Sequence, residues 1–153
     1  MTTNTWHEAI TPGQTDLAGS SILAAGVGWD RPIGTSRFRF GIEAVLLGHT
    51  GRQDLFELSV PLTLRYETLR DRGLTSLAAG LGLSYASKIP QVEIDRSGNS
   101  QRLFVHWMAE LEFATRRPDV TGFFRMHHRS DGYGLFEVDS GSTGLLVGVR
   151  QAF

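Results

Sequence analysis

Apolar and polar residues alternate along most of this chain with a period of two, which is typical of β-strands with one face in an apolar environment. In the segment 54–67 every second residue from Phe56 to Tyr66 is apolar, and the residues between them are mainly polar. The segment 102–113 repeats this pattern, with two glutamates and a histidine on its polar face. Further strands are predicted over 20–29, 37–46, 76–85, 121–130 and 144–153, and an eighth over 3–10.

The lengths of these segments and of the connections between them predict an all-β fold, an eight-stranded antiparallel up-and-down transmembrane β-barrel. The longer runs match the roughly 9–11 residues that a strand needs to cross a bilayer. Short turns at one end and long loops at the other are typical of outer-membrane barrels. The short turns are predicted at 30–35, 69–75 and 115–120, and the long loops at 88–99 and 131–141. Residues 1–153 are expected to form one domain.

In such a barrel the apolar face meets lipid and the polar face lines the interior, so many charged residues should lie inside. A buried charge needs a partner, and we therefore expect these side chains to form a salt-bridged plug. The residues concerned are Glu43, Glu57, Glu110, Glu112, Arg39, Arg65, Arg102 and Arg125.

Composition excludes some classes of function. The chain has no cysteine, which rules out a disulfide framework and a cysteine nucleophile, and its net charge of -1 gives no reason to expect nucleic acid as a partner. Asp95, Ser97 and Asn99 are spaced like the start of a calcium loop, but the glutamate that would complete the loop is missing, so we expect neither a metal nor a cofactor.

The amino terminus has neither the basic region nor the apolar core of a signal peptide, and no apolar run reaches the length of a transmembrane helix. The sequence therefore predicts either a cytoplasmic protein or a mature or trimmed form of an exported one.

The predicted strand 121–130 carries the candidate chemistry. One of its faces holds Phe124, Met126, His128 and Ser130, and the other holds Arg125, His127 and Arg129. Since Phe124 and Met126 are apolar, we expect the first face to point to lipid. If Phe153 lies at the periplasmic side, the strand direction places His128 and Ser130 at the outer leaflet. A histidine can activate a neighbouring serine as a nucleophile, and the alternative is a rim pair that only meets lipid headgroups.

A family resemblance favours the first interpretation. The run His127-His128-Arg129-Ser130, followed by Gly132-Tyr133-Gly134-Leu135-Phe136, a long loop and a closing strand, resembles the outer-membrane lipid A 3-O-deacylase family and its acyloxyacyl-hydrolase-like relatives. Segments around Trp6, Pro61 and Trp107 extend the resemblance over most of the chain. It implies a barrel in the bacterial outer membrane that hydrolyses the acyl ester at the 3-position of lipid A in lipopolysaccharide. A homodimer is compatible with it.

Carried over to this sequence, the resemblance makes His128 the general base and Ser130 the nucleophile. The position of the family's glutamate corresponds to about Thr143, which has no carboxylate. The acid is then expected from the loop before it, with Asp139 preferred over Glu137.

The expected substrate contacts depart from the family, which often has asparagine directly after the serine where this chain has Asp131. The backbone N–H groups of Asp131 and Gly132 are expected to bind the oxyanion. Phe124 and Met126 are expected to contact the acyl chains, and Arg129 the phosphates of lipid A.

Two other functions fit the alternation. One is a small outer-membrane barrel with a structural or adhesive role and no catalysis. The other is a soluble lipocalin-like lipid carrier, which would place its apolar side chains inside and its polar side chains outside.

Overall fold

The computed structural model describes Thr11 and residues 19–68 and 73–153, which form one antiparallel sheet and a short helix. The strands are β1 (Ser20–Pro32), β2 (Phe38–Gly51), β3 (Leu55–Glu67), β4 (Leu74–Ala86), β5 (Leu103–Ala114), β6 (Val120–Ser130) and β7 (Gly141–Gln151), and the helix is α1 (Gln91–Ser97). The predicted strand over 3–10 lies outside the described residues.

Each strand pairs with the next one along the chain, and every pairing is antiparallel. This confirms the predicted up-and-down topology, with seven strands among the described residues. The sheet curls until side chains of β7 meet those of β2, because Arg150 Nη2 lies 3.0 Å from Glu43 Oε1. The result is a nearly closed barrel, and β1 and β7 are the edges of the described sheet.

The predicted alternation sets the two faces of the sheet. On β3, Glu57, Ser59, Thr63 and Arg65 are buried in the barrel, and Leu58, Val60, Leu62 and Leu64 are exposed on its outer surface. The same outward apolar surface continues over Leu23, Val27, Ile42, Leu81, Val147 and Val149. The barrel is thus polar inside and apolar outside, the reverse of the arrangement expected for a lipocalin-like carrier.

Ion pairs fill the half of the barrel near the β5–β6 turn, as predicted. Glu110 lies 3.0 Å from Arg65, 2.6 Å from Arg125 and 2.9 Å from Arg150. Glu43 also contacts Arg125 and Arg150, at 2.8 and 3.0 Å. These pairs link strands on opposite sides of the barrel, so each buried charge is compensated.

Arg39 is 30% exposed and pairs with Asp30 at 2.6 Å and Glu67 at 3.6 Å, not with a glutamate of the plug. The composition of the plug differs from the prediction at three further positions. Arg150 belongs to it and was not predicted. Arg102 does not, because its guanidinium lies outside against the Tyr85 ring, 4.6 Å from the centroid. Glu57 joins a separate interior cluster, in which its carboxylate lies 3.0 Å from His49 Nε2 and 2.8 Å from His127 Nε2.

Helix α1 lies in the predicted loop 88–99 and was not itself predicted. Among the described residues, no helix has the length and the apolar character that a transmembrane helix requires.

Candidate functional site

His128 and Ser130 stand at the end of β6, on the outer face of the barrel. The register pairs His128 with Trp107 of β5 and with Thr143 of β7, and it pairs Ser130 with Val105 and Gly141. Both side chains line a cleft of about 420 Å³. Its other walls come from Trp107, from Arg96 at the end of α1, from Asp139 in the loop before β7 and from Gly141 at the start of β7.

The His128 ring is fixed by its neighbours on the two adjacent strands. Its Nδ1 lies 2.9 Å from Thr143 Oγ1, and its ring centroid lies 5.2 Å from that of Trp107. Because Thr143 is fully buried, its hydroxyl cannot exchange the hydrogen bond with the ring for one with water. When Nδ1 donates to Thr143, the other ring nitrogen, Nε2, is left as the acceptor that a general base needs.

Ser130 is half-buried at the mouth of the cleft. The Gly132 N–H donates to its Oγ over 3.4 Å. No hydrogen bond joins Ser130 to His128, although the two side chains share the cleft. Catalytic hydrogen bonds are often long before substrate binds and tighten in the complex.

The carboxylates expected to orient His128 are placed differently from each other. Asp139 lines the cleft, whereas Glu137 is exposed on the loop away from it. Within the part of the chain that the structure describes, neither carboxylate contacts the His128 ring, and Thr143 occupies the Nδ1 side. The position that the resemblance assigns to the acid is therefore in contact with the histidine, but it supplies a hydroxyl.

The two N–H groups expected to bind the oxyanion differ in whether a substrate could reach them. The Asp131 N–H donates to the Ser140 carbonyl at 3.1 Å, so it is not available to a substrate. The Gly132 N–H faces Ser130 Oγ and is the remaining candidate. A side chain at this position would be strained, because φ is 72° and a Cβ would lie 2.5 Å from Val105 Cγ2.

Of the expected substrate contacts, Phe124 and Met126 lie on the outer face of β6, where Phe124 is exposed and Met126 is buried. Arg129 requires a correction, because it points into the barrel and is only 1% exposed. Its guanidinium donates to the Gln101 carbonyl at 3.0 Å and lies 2.9 Å from a Glu93 carboxylate oxygen. It is thus not in a position to meet a phosphate at the surface.

Helix α1 forms one wall of the cleft and is held by a buried carboxylate. Glu93 accepts hydrogen bonds from Ser142 at 2.7 Å and from Ser100 at 2.5 Å, and it pairs with Arg129. Burial raises the pKa of the Glu93 carboxyl above its ordinary value, in spite of the Arg129 guanidinium beside it. These contacts fix the helix to β6 and β7.

Sequence reasoning missed Arg96, which α1 places in the cleft, and it missed the contact of Thr143 with His128. The sequence did contain a start and a stop signal for the helix, Pro90 before it and Gly98 after it. In the structure Gly98 has a φ of 77°. For Thr143 the only signal was its place opposite His128, which requires the register of β6 and β7.

The described residues contain no group of three or more His, Asp or Glu side chains arranged to hold a metal ion. Comparison with family models, with curated proteins and with solved structures finds no match to this chain.

Proposed function

We propose that this protein is a serine esterase of the bacterial outer membrane that removes the acyl chain at the 3-position of lipid A. The observation that carries the proposal is the shared cleft of His128 and Ser130, on the outer face of the barrel, with His128 Nδ1 held by Thr143. An acyl ester in the outer leaflet would approach the barrel from this side.

The reaction follows from the groups around the cleft. His128 Nε2 takes the Ser130 proton while Oγ forms a bond to the ester carbonyl carbon, and the oxyanion is stabilised by the Gly132 N–H. The bond to the sugar oxygen then breaks, and that oxygen takes the proton from His128. A water deprotonated by His128 attacks the acyl-enzyme, which releases the fatty acid and returns a proton to Ser130.

The outer surface supports a membrane location. Leu81 is 62% exposed and Val147 is 84% exposed, and both lie in the middle of strands. Leaving a large apolar side chain in water instead of an apolar environment costs up to about 1.5–3 kcal/mol. A lipid bilayer around the barrel would remove this cost at every such position.

The test is hydrolysis of lipopolysaccharide by the purified protein in detergent, read by mass spectrometry of lipid A. Wild-type protein should release the 3-position hydroxy fatty acid, and Ser130→Ala should abolish this release. The variant should remain folded, which a heat-dependent shift in its migration on a gel would show. Ser21→Ala is the matched control, since Ser21 is exposed on the outer face of β1 and does not line the cleft. Continued release by Ser130→Ala would refute the serine mechanism.

A non-catalytic barrel is the second candidate. It is favoured by the missing hydrogen bond between Ser130 and His128 and by the missing carboxylate at His128 Nδ1. An activated serine reacts with a fluorophosphonate probe and an ordinary rim serine does not. Labelling that depends on both His128 and Ser130 would therefore exclude this candidate, and absence of both labelling and hydrolysis would favour it.

A further inference from the structure

We propose that Arg96 is the residue that recognises a phosphate on the substrate headgroup, an inference that rests on the proposed esterase function. Of the residues that the structure describes around the cleft, Arg96 is the one arginine or lysine. It stands beside the same cleft as His128 and Ser130, so a group bound to it would lie next to the reacting ester.

A hydrogen bond holds the Arg96 side chain in place, but among the described residues no carboxylate neutralises its charge. Its Nη1 donates to the Gly141 carbonyl at 3.0 Å, which uses one of the five N–H donors of a guanidinium. No carboxylate of the described residues lies within ion-pair distance of it, in contrast to Arg52 on the neighbouring loop, which pairs with Asp95 at 2.6 Å. The remaining donors can form the bidentate contact that arginine makes with phosphate.

The backbone that carries Arg96 is itself anchored. Glu93, one turn earlier in α1, is buried against Ser142 and Arg129, and the Val92 N–H donates to Gln53 Oε1 at 3.4 Å. A guanidinium on a fixed helix loses less freedom on binding than one on a free loop. Since Arg129 is buried inside the barrel, Arg96 takes the role that the sequence had assigned to Arg129.

The other charged side chains in the cleft are carboxylates, which do not attract phosphate. Asp131 is turned into its own loop, where its carboxylate accepts the Gly134 N–H at 2.6 Å. Asp139 also lines the cleft and adds a negative charge. Among the described residues that line the cleft, Arg96 is thus the one that attracts a phosphorylated lipid by charge, so loss of this charge should remove most of the preference for phosphate.

The experiment compares lipid A with the same lipid A after removal of its phosphates, in phosphate-free buffer. Arg96→Gln keeps an N–H donor for the Gly141 carbonyl and loses the charge. We expect it to raise KM for the phosphorylated lipid at least tenfold, to leave kcat within about twofold, and to leave KM for the dephosphorylated lipid unchanged. Arg96→Lys should restore much of the loss.

Arg117→Gln is the matched control, because Arg117 is exposed in the β5–β6 turn at the other end of the barrel and does not line the cleft. Equal changes in KM for both lipids would show that Arg96 only supports the local structure, and would overturn the proposal. A difference that appears only after inorganic phosphate is added would also overturn it, since the site would then bind a free anion.

Binding of the two lipids to Ser130→Ala protein, with and without Arg96→Gln, separates this inference from the esterase proposal. If wild-type protein hydrolyses neither lipid, the esterase proposal fails. Tighter binding of the phosphorylated lipid that depends on Arg96 would still support phosphate recognition, and equal binding of both lipids would refute it.

Discussion

At the scale of single residues, Thr143 has the most direct influence on His128. A hydroxyl can fix the tautomer and orientation of the imidazole, but it carries no charge with which to stabilise the imidazolium that the proposed proton transfer would form. A dyad oriented by threonine should therefore be slower than a triad that contains a carboxylate.

Removal of the Thr143 hydroxyl tests this role. Thr143→Val keeps the shape of the side chain and should lower kcat roughly tenfold, the equivalent of about 1.4 kcal/mol for one hydrogen bond. Thr143→Ser retains the hydroxyl and should stay close to wild type in the same esterase assay. Full activity of Thr143→Val would mean that another group holds His128.

Asp139 offers a test with opposite outcomes for its two possible roles. As a negative charge beside Arg96 it should weaken phosphate binding, so Asp139→Asn should lower KM for phosphorylated lipid A a few-fold and leave kcat unchanged. As the catalytic acid it would be needed for turnover, and its loss would lower kcat by up to about 10⁴. Glu137→Gln removes the same charge from the same loop outside the cleft and serves as the control.

At the scale of elements, the position of α1 depends on a carboxyl whose burial raises its pKa. A proton on Glu93 therefore stabilises the folded state. That contribution is complete below the unfolded value of 4.5 and is lost as pH rises through the higher folded value. The free energy of unfolding of wild-type protein, relative to Glu93→Gln, should thus fall as pH is raised from 4.5 to neutrality.

Urea unfolding of both proteins in detergent at several pH values measures this difference, because other titrating groups are common to the two and cancel. A constant difference across the range would show that Glu93 does not titrate with a raised pKa. A difference that grows in favour of wild type at neutral pH would contradict the sign.

The elements differ in how far the sequence could predict them. The predicted segment 54–67 agrees with β3 to within a residue, because an unbroken apolar stripe specifies both the strand and its face. The last strand begins at Gly141, three residues before the predicted 144, since Gly141, Ser142 and Thr143 show no alternation. Helix α1 has fewer than two turns and no apolar stripe, and it is held by tertiary contacts that the sequence does not display.

The same limit applies to the candidate site. Alternation predicts that His128 and Ser130 share the outer face, and it equally predicts that Arg129 points inward with His127. The second consequence is the correct one for Arg129, which is buried in the barrel and not at the substrate. The contact of Thr143 with His128 and the place of Arg96 depend on strand register and on loop packing, which no local pattern encodes.

At the scale of the whole molecule, the outward apolar surface predicts a specific response to charge. Leu62 lies in the middle of β3 and is 52% exposed. In a bilayer, Leu62→Arg should cost about 2–4 kcal/mol of stability near the midplane. In a water-soluble barrel, the same change at a half-exposed position should stay within about 0.5 kcal/mol.

The free energy of unfolding in lipid vesicles measures this cost, with Asn99→Arg as a control that adds the same charge in a loop. Equal stabilities of the two variants and wild type would count against a membrane location.

If the barrel spans a membrane as proposed, its ion-paired interior determines what can pass through it. Glu43 and Glu110 connect β2 and β5 to arginines of β3, β6 and β7, and buried Met108 and Phe104 occupy the space farther along β5. Solutes and ions would have to break these pairs to pass. We therefore expect no conductance when the protein is inserted into a planar bilayer, so a cell could carry many copies without losing its permeability barrier.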